Sequence, residues 1–290
     1  AKHLRPDEEH REGGRDKTKQ IRGGHASSLA DEGTERANYP RIMTIESSLA
    51  KFLSDACPLV GDTGYRFYFT PETREVGEKL GLNGMEFYVL GRGGALGDCD
   101  GPALASNFGY FNPAVIGGAW DSAKAKCAPR TAGRAHLECS ADFGRSKFAG
   151  IPGLDAFVAA ADAVNAAADP DGLGLYAAMK CDALVSDVPG RAMQLATVLR
   201  EFRGSAHLAA IRAAGLTSKV AHFIKRPNDA KMFGWSEDDV AKVTDAQRAQ
   251  WDAAEKLTDE MVAPAYGVLD AAGRAAFLAG ITAMHTIASS

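Results

Sequence analysis

Several chemistries are missing from this sequence, and each gap narrows its function. The cysteines number five, and no two form a C-x-x-C pair. That argues against a disulfide framework or a paired zinc or redox motif. Cys57, Cys99, Cys127, Cys139 and Cys181 are expected as free thiols in a reducing compartment. No apolar run approaches the roughly 18 residues that span a bilayer. No apolar h-region of a secretory signal is visible. The expected location is the cytoplasm, with no membrane partner. Basic charge is not in surplus either, since 33 Lys and Arg stand against 37 Asp and Glu. Residues 1–42 hold 9 basic and 8 acidic groups, which leaves the remainder at a net charge of −5. Such a body has no bulk attraction for a phosphate backbone.

Motifs of catalysis are also absent. "GRGGALG" (91–97) lacks the glycine spacing of a dinucleotide loop, and no G-K-[ST] follows a glycine-rich turn. "GDCDG" (97–101) lacks the D-x-D-x-D-G spacing of a calcium loop, so Asp98 and Asp100 read as helix caps. "HLEC" (136–139) opens like a zinc deaminase motif but has no later P-C-x-x-C, and His136 reads as a surface or loop residue. Neither H-E-x-x-H nor G-x-S-x-G occurs. No metal site and no particular cofactor are implied.

What is present is helix. Residues 1–42 are dense in charge, Gly and Ser, and are expected to be a disordered or upstream segment, with Met43 as an alternative start. Beyond them, apolar positions recur at helical spacing in 45–56, 72–80, 113–126, 154–168, 174–187, 191–203, 206–214, 217–225, 237–263 and 271–287. Thr70-Pro71, Asn112-Pro113, Ser236 to Asp239, and Asp270 read as helix starts. "MEFYVL" (85–90) is the best strand candidate. Two faint matches, Gly81 onward with Gly215 onward and Phe108 onward with Phe233 onward, raise an internal duplication. The expected organisation is a helical half over 43–169 and a second over 170–290.

Two clusters stand out as candidate sites. Tyr88, Tyr110, Phe111 and Trp120 surround Arg92 in sequence and could line a pocket for a flat anion. "LREFRGSAHLAAIRAAGL" (199–216) sets Arg200, Arg203 and His207 beside an apolar stripe, with Gly204-Ser205 read as a stop-and-cap pair dividing two helices. On that reading Arg203 closes one helix, and His207 lies in the first turn of the next. A following Gly215 and Thr217 give the rhythm of a helix-turn-helix connection. The candidate ligand-binding set is Tyr88, Arg92, Tyr110, Phe111, Trp120, Arg203, His207 and His222.

"FYFTPETREVGEKLGLNGMEFYVLGRGGALG", "FGYFNPAVIGGAW", "LREFRGSAHLAAIRAAGL" and "GWSEDDVAK" together resemble an uncharacterised actinobacterial family of helical proteins, commonly described as helix-turn-helix or MarR-like. The segment 245–287 is similar to the end of MarR-type regulators, where a long helix, a short turn and a final helix build a dimer. Similar sequences read R-G-D-G-H at 203–207, so Arg203 and His207 are the positions that match. The resemblance implies a mainly α fold with winged-helix elements. The wing is reduced or absent, because Val240-Ala241-Lys242 passes directly into Val243-Thr244-Asp245. The presumed recognition segment "SEDDVAKV" carries three acids and one Lys, which suits a major groove poorly.

The function expected is therefore a small-molecule-binding helical protein, in the manner of a ligand-responsive regulator. The alternatives are a DNA-binding regulator and an enzyme using His207, for which Glu201 is a carboxylate six residues away that does not share its helix face. The chain is expected to act as a dimer or as a monomer whose two halves imitate one.

Overall fold

A computed structural model of the chain describes residues 45–239 and 242–290. The segment 1–42, the proposed start at Met43 and residues 240–241 of the presumed recognition segment lie outside the described residues.

Helices begin where a short polar side chain precedes an apolar run. Thr70 accepts a hydrogen bond from the Thr73 amide to open α2 (Pro71–Lys79), with Pro71 in the first turn. Asn112 does the same for α5 (Pro113–Lys124), and Asp270 for α12 (Ala271–Ala288). The helix α1 (Ser47–Thr63) buries Leu49, Phe52, Leu53, Ala56, Cys57 and Val60, the spacing of a single helical stripe. A reciprocal cap between Asn83 and Glu86 starts α3 (Gly84–Gly93), so "MEFYVL" is helix and not strand. Among the described residues there is no strand at all.

The remaining elements are α4 (Gly101–Phe108), α6 (Pro129–Phe148), α7 (Leu154–Ala167), α8 (Gly174–Lys180), α9 (Val188–Ala213), α10 (Ser218–Lys225) and α11 (Asp245–Tyr266). Three short 3-10 turns, at Gly94–Leu96, Ala230–Phe233 and Glu237–Asp239, link them. The fold is thus mainly α, as the periodicity implies. Among the described residues no single helix is long and apolar enough to cross a membrane.

Three expectations are corrected. Gly204-Ser205 does not divide two helices, because α9 runs unbroken for 26 residues. Glycine costs a helix interior about 1 kcal/mol relative to alanine, and α9 offsets that by burying Leu195, Val198, Leu199, Phe202 and Ala206 against its neighbours. Arg203 therefore has no helix end to complement, and His207 lies mid-helix. The helix expected over 237–263 starts instead at Asp245, where Thr244 and Gln247 cap each other. Ser236 and Asp239 do bond, but they close only a single 3-10 turn. His136, expected at the surface, is buried in α6 against Phe67, Tyr68 and Phe87.

The helix α9 is the centre of the fold and packs on α1, α6, α7, α8, α10 and α11. Close approach to α6 depends on Gly144, where any side chain would collide with the Pro189 carbonyl. Core residues come from both sides of position 170, including Phe87, Trp120, Phe148 and Phe157 before it and Tyr176, Phe202, Tyr266 and Phe277 after it. After Ala213 the chain turns at Gly215, whose φ is +84°. The Leu216 amide reaches back to the Ile211 carbonyl, and Thr217 caps α10. This helix-turn-helix connection rests on a small core of Ala210, Ile211, Leu216, Ala221, Trp251 and Ala254.

Candidate functional site

One face of α9 is not covered. Arg200, Arg203, Gly204, His207 and Leu208 project from it into a cleft of about 640 Å³. The spacing i, i+3, i+4, i+7, i+8 is one helical face. The cleft's other walls are Cys57, Pro58, Gly61 and Asp62 of α1, Tyr88 and Arg92 of α3, and Trp251, Glu255 and Tyr266 of α11. Phe108 enters from the end of α4, Tyr110 and Phe111 from the loop after it, and Lys225, Arg226 and Phe233 from the end of α10 and the turn beyond it. This volume falls in the range of small-molecule sites, roughly 300–1,000 Å³.

The inner end is built around a buried ion cluster. Arg92 donates to both carboxylate oxygens of Glu201, at 2.9 and 2.8 Å, and to the Tyr88 hydroxyl at 3.1 Å. Arg200 also donates to Glu201 and to the Tyr68 hydroxyl. Burial opposes the Glu201 charge, but Arg92 and Arg200 outweigh it and hold its carboxyl at about 2. Two guanidiniums on one carboxylate leave this cluster with a formal surplus of one positive charge. Glu201 is thereby committed to Arg92 and does not serve His207.

At the outer end a second set converges. Arg203 donates to Glu255 at 2.9 Å and to Asp259 at 3.0 Å, while its buried Nε has no partner. The Thr258 hydroxyl donates to the Ala254 carbonyl at 2.7 Å, so its oxygen accepts from Nδ1 of His207 at 3.0 Å. This hydrogen-bond network assigns the Nδ1–H tautomer. Nε2 is left to accept the Tyr110 hydroxyl at 2.7 Å. Burial holds the His207 pKa at about 4, against the opposing pull of Glu255, so the ring is neutral at pH 7. Tyr110 reaches it from a left-handed backbone, with φ +60° at both Gly109 and Tyr110. A side chain at Gly109 would collide with Leu208.

Of the eight residues singled out in the sequence, six line this cleft: Tyr88, Arg92, Tyr110, Phe111, Arg203 and His207. Trp120 does not. It is fully buried beneath α3, with its indole N–H donated to the Cys99 carbonyl at 2.8 Å. His222 does not either. It is buried against Phe223, Phe233 and Trp235, and neither ring nitrogen has a partner. Thr258, Trp251, Glu255, Lys225 and Phe233 complete the site but carry no pattern in the sequence that marks them. The segments at 108 and 233, which form one of the two faint matches in the sequence, touch. Phe111 stacks on Phe233 at 4.4 Å, the Asn112 amide donates to the Phe233 carbonyl at 2.8 Å, and the Trp235 indole donates to the Tyr110 carbonyl at 2.7 Å.

A model described as a helix-turn-helix family matches residues 62–288. No curated protein and no solved structure matches the chain. The family match takes in every helix from α2 to α12 and all of the cleft's walls except Cys57, Pro58, Val60 and Gly61 of α1. By that match, the chain belongs to this helix-turn-helix family.

Proposed function

We propose that the protein binds a small, flat, anionic molecule in the cleft and acts as a ligand-responsive regulator on a MarR-like, winged-helix-derived scaffold. The observation that carries this reading is the composition of the walls. Arg92 and Arg200 outnumber their one carboxylate, Glu201, and Lys225 pairs with no carboxylate among the described residues, beside the rings of Tyr65, Tyr88, Phe108, Phe111, Phe233 and Trp251. Aromatic rings supply area, and convergent cations supply orientation. Lys225 and Arg226 end α10, the helix that follows the turn, so an occupant held by them acts directly on that element.

The MarR-like kinship is supported by the order of the last elements. The long α11 is followed by a short turn and then α12, as in the C-terminal part of such regulators. Here α12 lies on α1 and α7 of its own chain, burying Phe277, Gly280, Ile281 and Met284. We therefore read the protein as a monomer whose terminal helices are satisfied internally. Calorimetric titration with aromatic carboxylates and their uncharged alcohols tests the ligand reading. Binding of the acids alone supports it, and binding of neither removes it.

The family description favours a second reading, DNA binding through α10. Against it, Lys219 is paired with Asp239 at 2.8 Å and Lys225 faces the cleft over Trp251. Few free cations remain on that helix to meet phosphates.

A further inference from the structure

Glycine in the middle of a helix needs a reason, because alanine serves better unless space is required. At Gly144 the reason is contact with another helix. At Gly204 it is not: a Cβ built there meets nothing within 4 Å. Gly204 lies in the centre of α9, is exposed, and lines the cleft between Arg203 and His207. Gly61, inside α1, is in the same position, with nothing within 4 Å of an added Cβ and a place on the cleft wall. The two helices run alongside each other here. Gly64 sits close to Ala196 and Arg200, and the Arg203 cation acts on the Cys57 thiol. Two adjoining walls of the cleft thus present bare helix backbone where folding alone does not call for it.

We propose that Gly204 and Gly61 are specificity-determining positions. They keep the cleft open as a slot in which a planar aromatic anion lies against the backbone of α9, while Arg200, from the cluster with the positive surplus, takes its charge. This inference rests on the ligand-binding reading and adds to it the shape of the ligand. A flat ring system fits over backbone that carries no side chain, whereas a globular anion of equal charge does not. An added methyl group occupies the ligand's place and not the protein's, so it acts on binding and not on folding.

The test uses the full chain and two probes, planar 2-naphthoate and globular adamantane-1-carboxylate, with binding read by calorimetry and stability by thermal melting. Gly118, also in a helix and also free of neighbours within 4 Å, lies outside the cleft and serves as the control. Wild type is expected to prefer 2-naphthoate. Gly204→Ala and Gly61→Ala are each expected to weaken it by tenfold or more, the scale of one extra methyl in a tight pocket. Both are also expected to keep or raise the melting temperature, by about 1–3 °C. Gly118→Ala is expected to give the melting shift alone. Wild-type binding of 2-naphthoate that Gly204→Ala and Gly61→Ala leave unchanged overturns the slot and spares the ligand reading. Equal binding of the globular acid by wild type overturns the slot as well. Binding of neither probe by wild type overturns both.

Discussion

Tyr110 donates its hydroxyl to Nε2 of His207 across 2.7 Å, although 97 residues separate them and Tyr110 lies in the loop between α4 and α5 while His207 lies within α9. His207 is pinned on its other side by Thr258. The imidazole therefore has one tautomer and one orientation, and Tyr110 is held at the cleft wall with its proton directed inward.

Removing that hydroxyl exposes the arrangement. In Tyr110→Phe the buried Nε2 loses its donor, which costs about 1–3 kcal/mol. The neutral ring also loses the bond that favours it, so the His207 pKa is expected to rise from about 4 towards the ordinary histidine range. Proton NMR titration of the His207 ring checks this. An unchanged pKa would mean that burial alone sets it.

Stability against pH follows from the buried histidines. Folding lowers the pKa of His207 to about 4 and of His136 to about 3, in each case first by burial. The unfolded chain, with histidines near 6.5, binds more protons than the native one as pH falls below that value. Stability is therefore full above about pH 6.5 and declines as pH drops towards 4, by up to about 3 kcal/mol for His207. Urea denaturation from pH 7.5 to 4.5 measures the slope. His207→Gln is expected to reduce it by about one proton, and an unaltered slope would assign the effect elsewhere.

The Arg92–Glu201 pair sets a third expectation. Glu201→Leu leaves two guanidiniums without their counter-charge and is expected to cost about 3–5 kcal/mol. Adding Arg92→Met should restore part of that loss, because the apolar pair removes one of the two uncompensated guanidiniums. Chemical denaturation of the two single variants and the double variant decides it. A double variant as unstable as the sum of the singles would contradict a direct pairing.

Duplex DNA gives a fourth. With Lys219 bound to Asp239 and the chain body net acidic, affinity for duplex DNA at low salt is expected to be weak, with a shallow dependence on salt. Fluorescence anisotropy at 50 and 200 mM salt measures this. A steep salt slope that Lys219→Ala and Arg226→Ala reduce would favour the DNA-binding reading over ours.

Much of the fold was legible because caps and stripes are local. Thr70, Asn112 and Asp270 open helices through bonds within one turn, and α1 shows its buried face in six residues. The failures have physical causes. The helix α6 buries His136 and Ser140 among Arg, Glu and Asp, so no clean apolar stripe announces it. The break read at Gly204 followed a local propensity that tertiary packing on α9 outweighs. In the site, aromatic identity alone did not separate Trp120, which fills the core, from Tyr110, which lines the cleft. The partner of Arg92 is 109 residues away and that of His207 51 residues away, and no local pattern connects them.

The central claim is that the cleft over α9 is a binding site for a flat anion. A crystal structure of the full chain grown with 2-naphthoate tests it most directly. The bicyclic ring is expected to lie over Gly204, with its carboxylate within hydrogen-bond distance of Arg200. An empty cleft at saturating 2-naphthoate, or the acid bound only elsewhere on the protein, would contradict it.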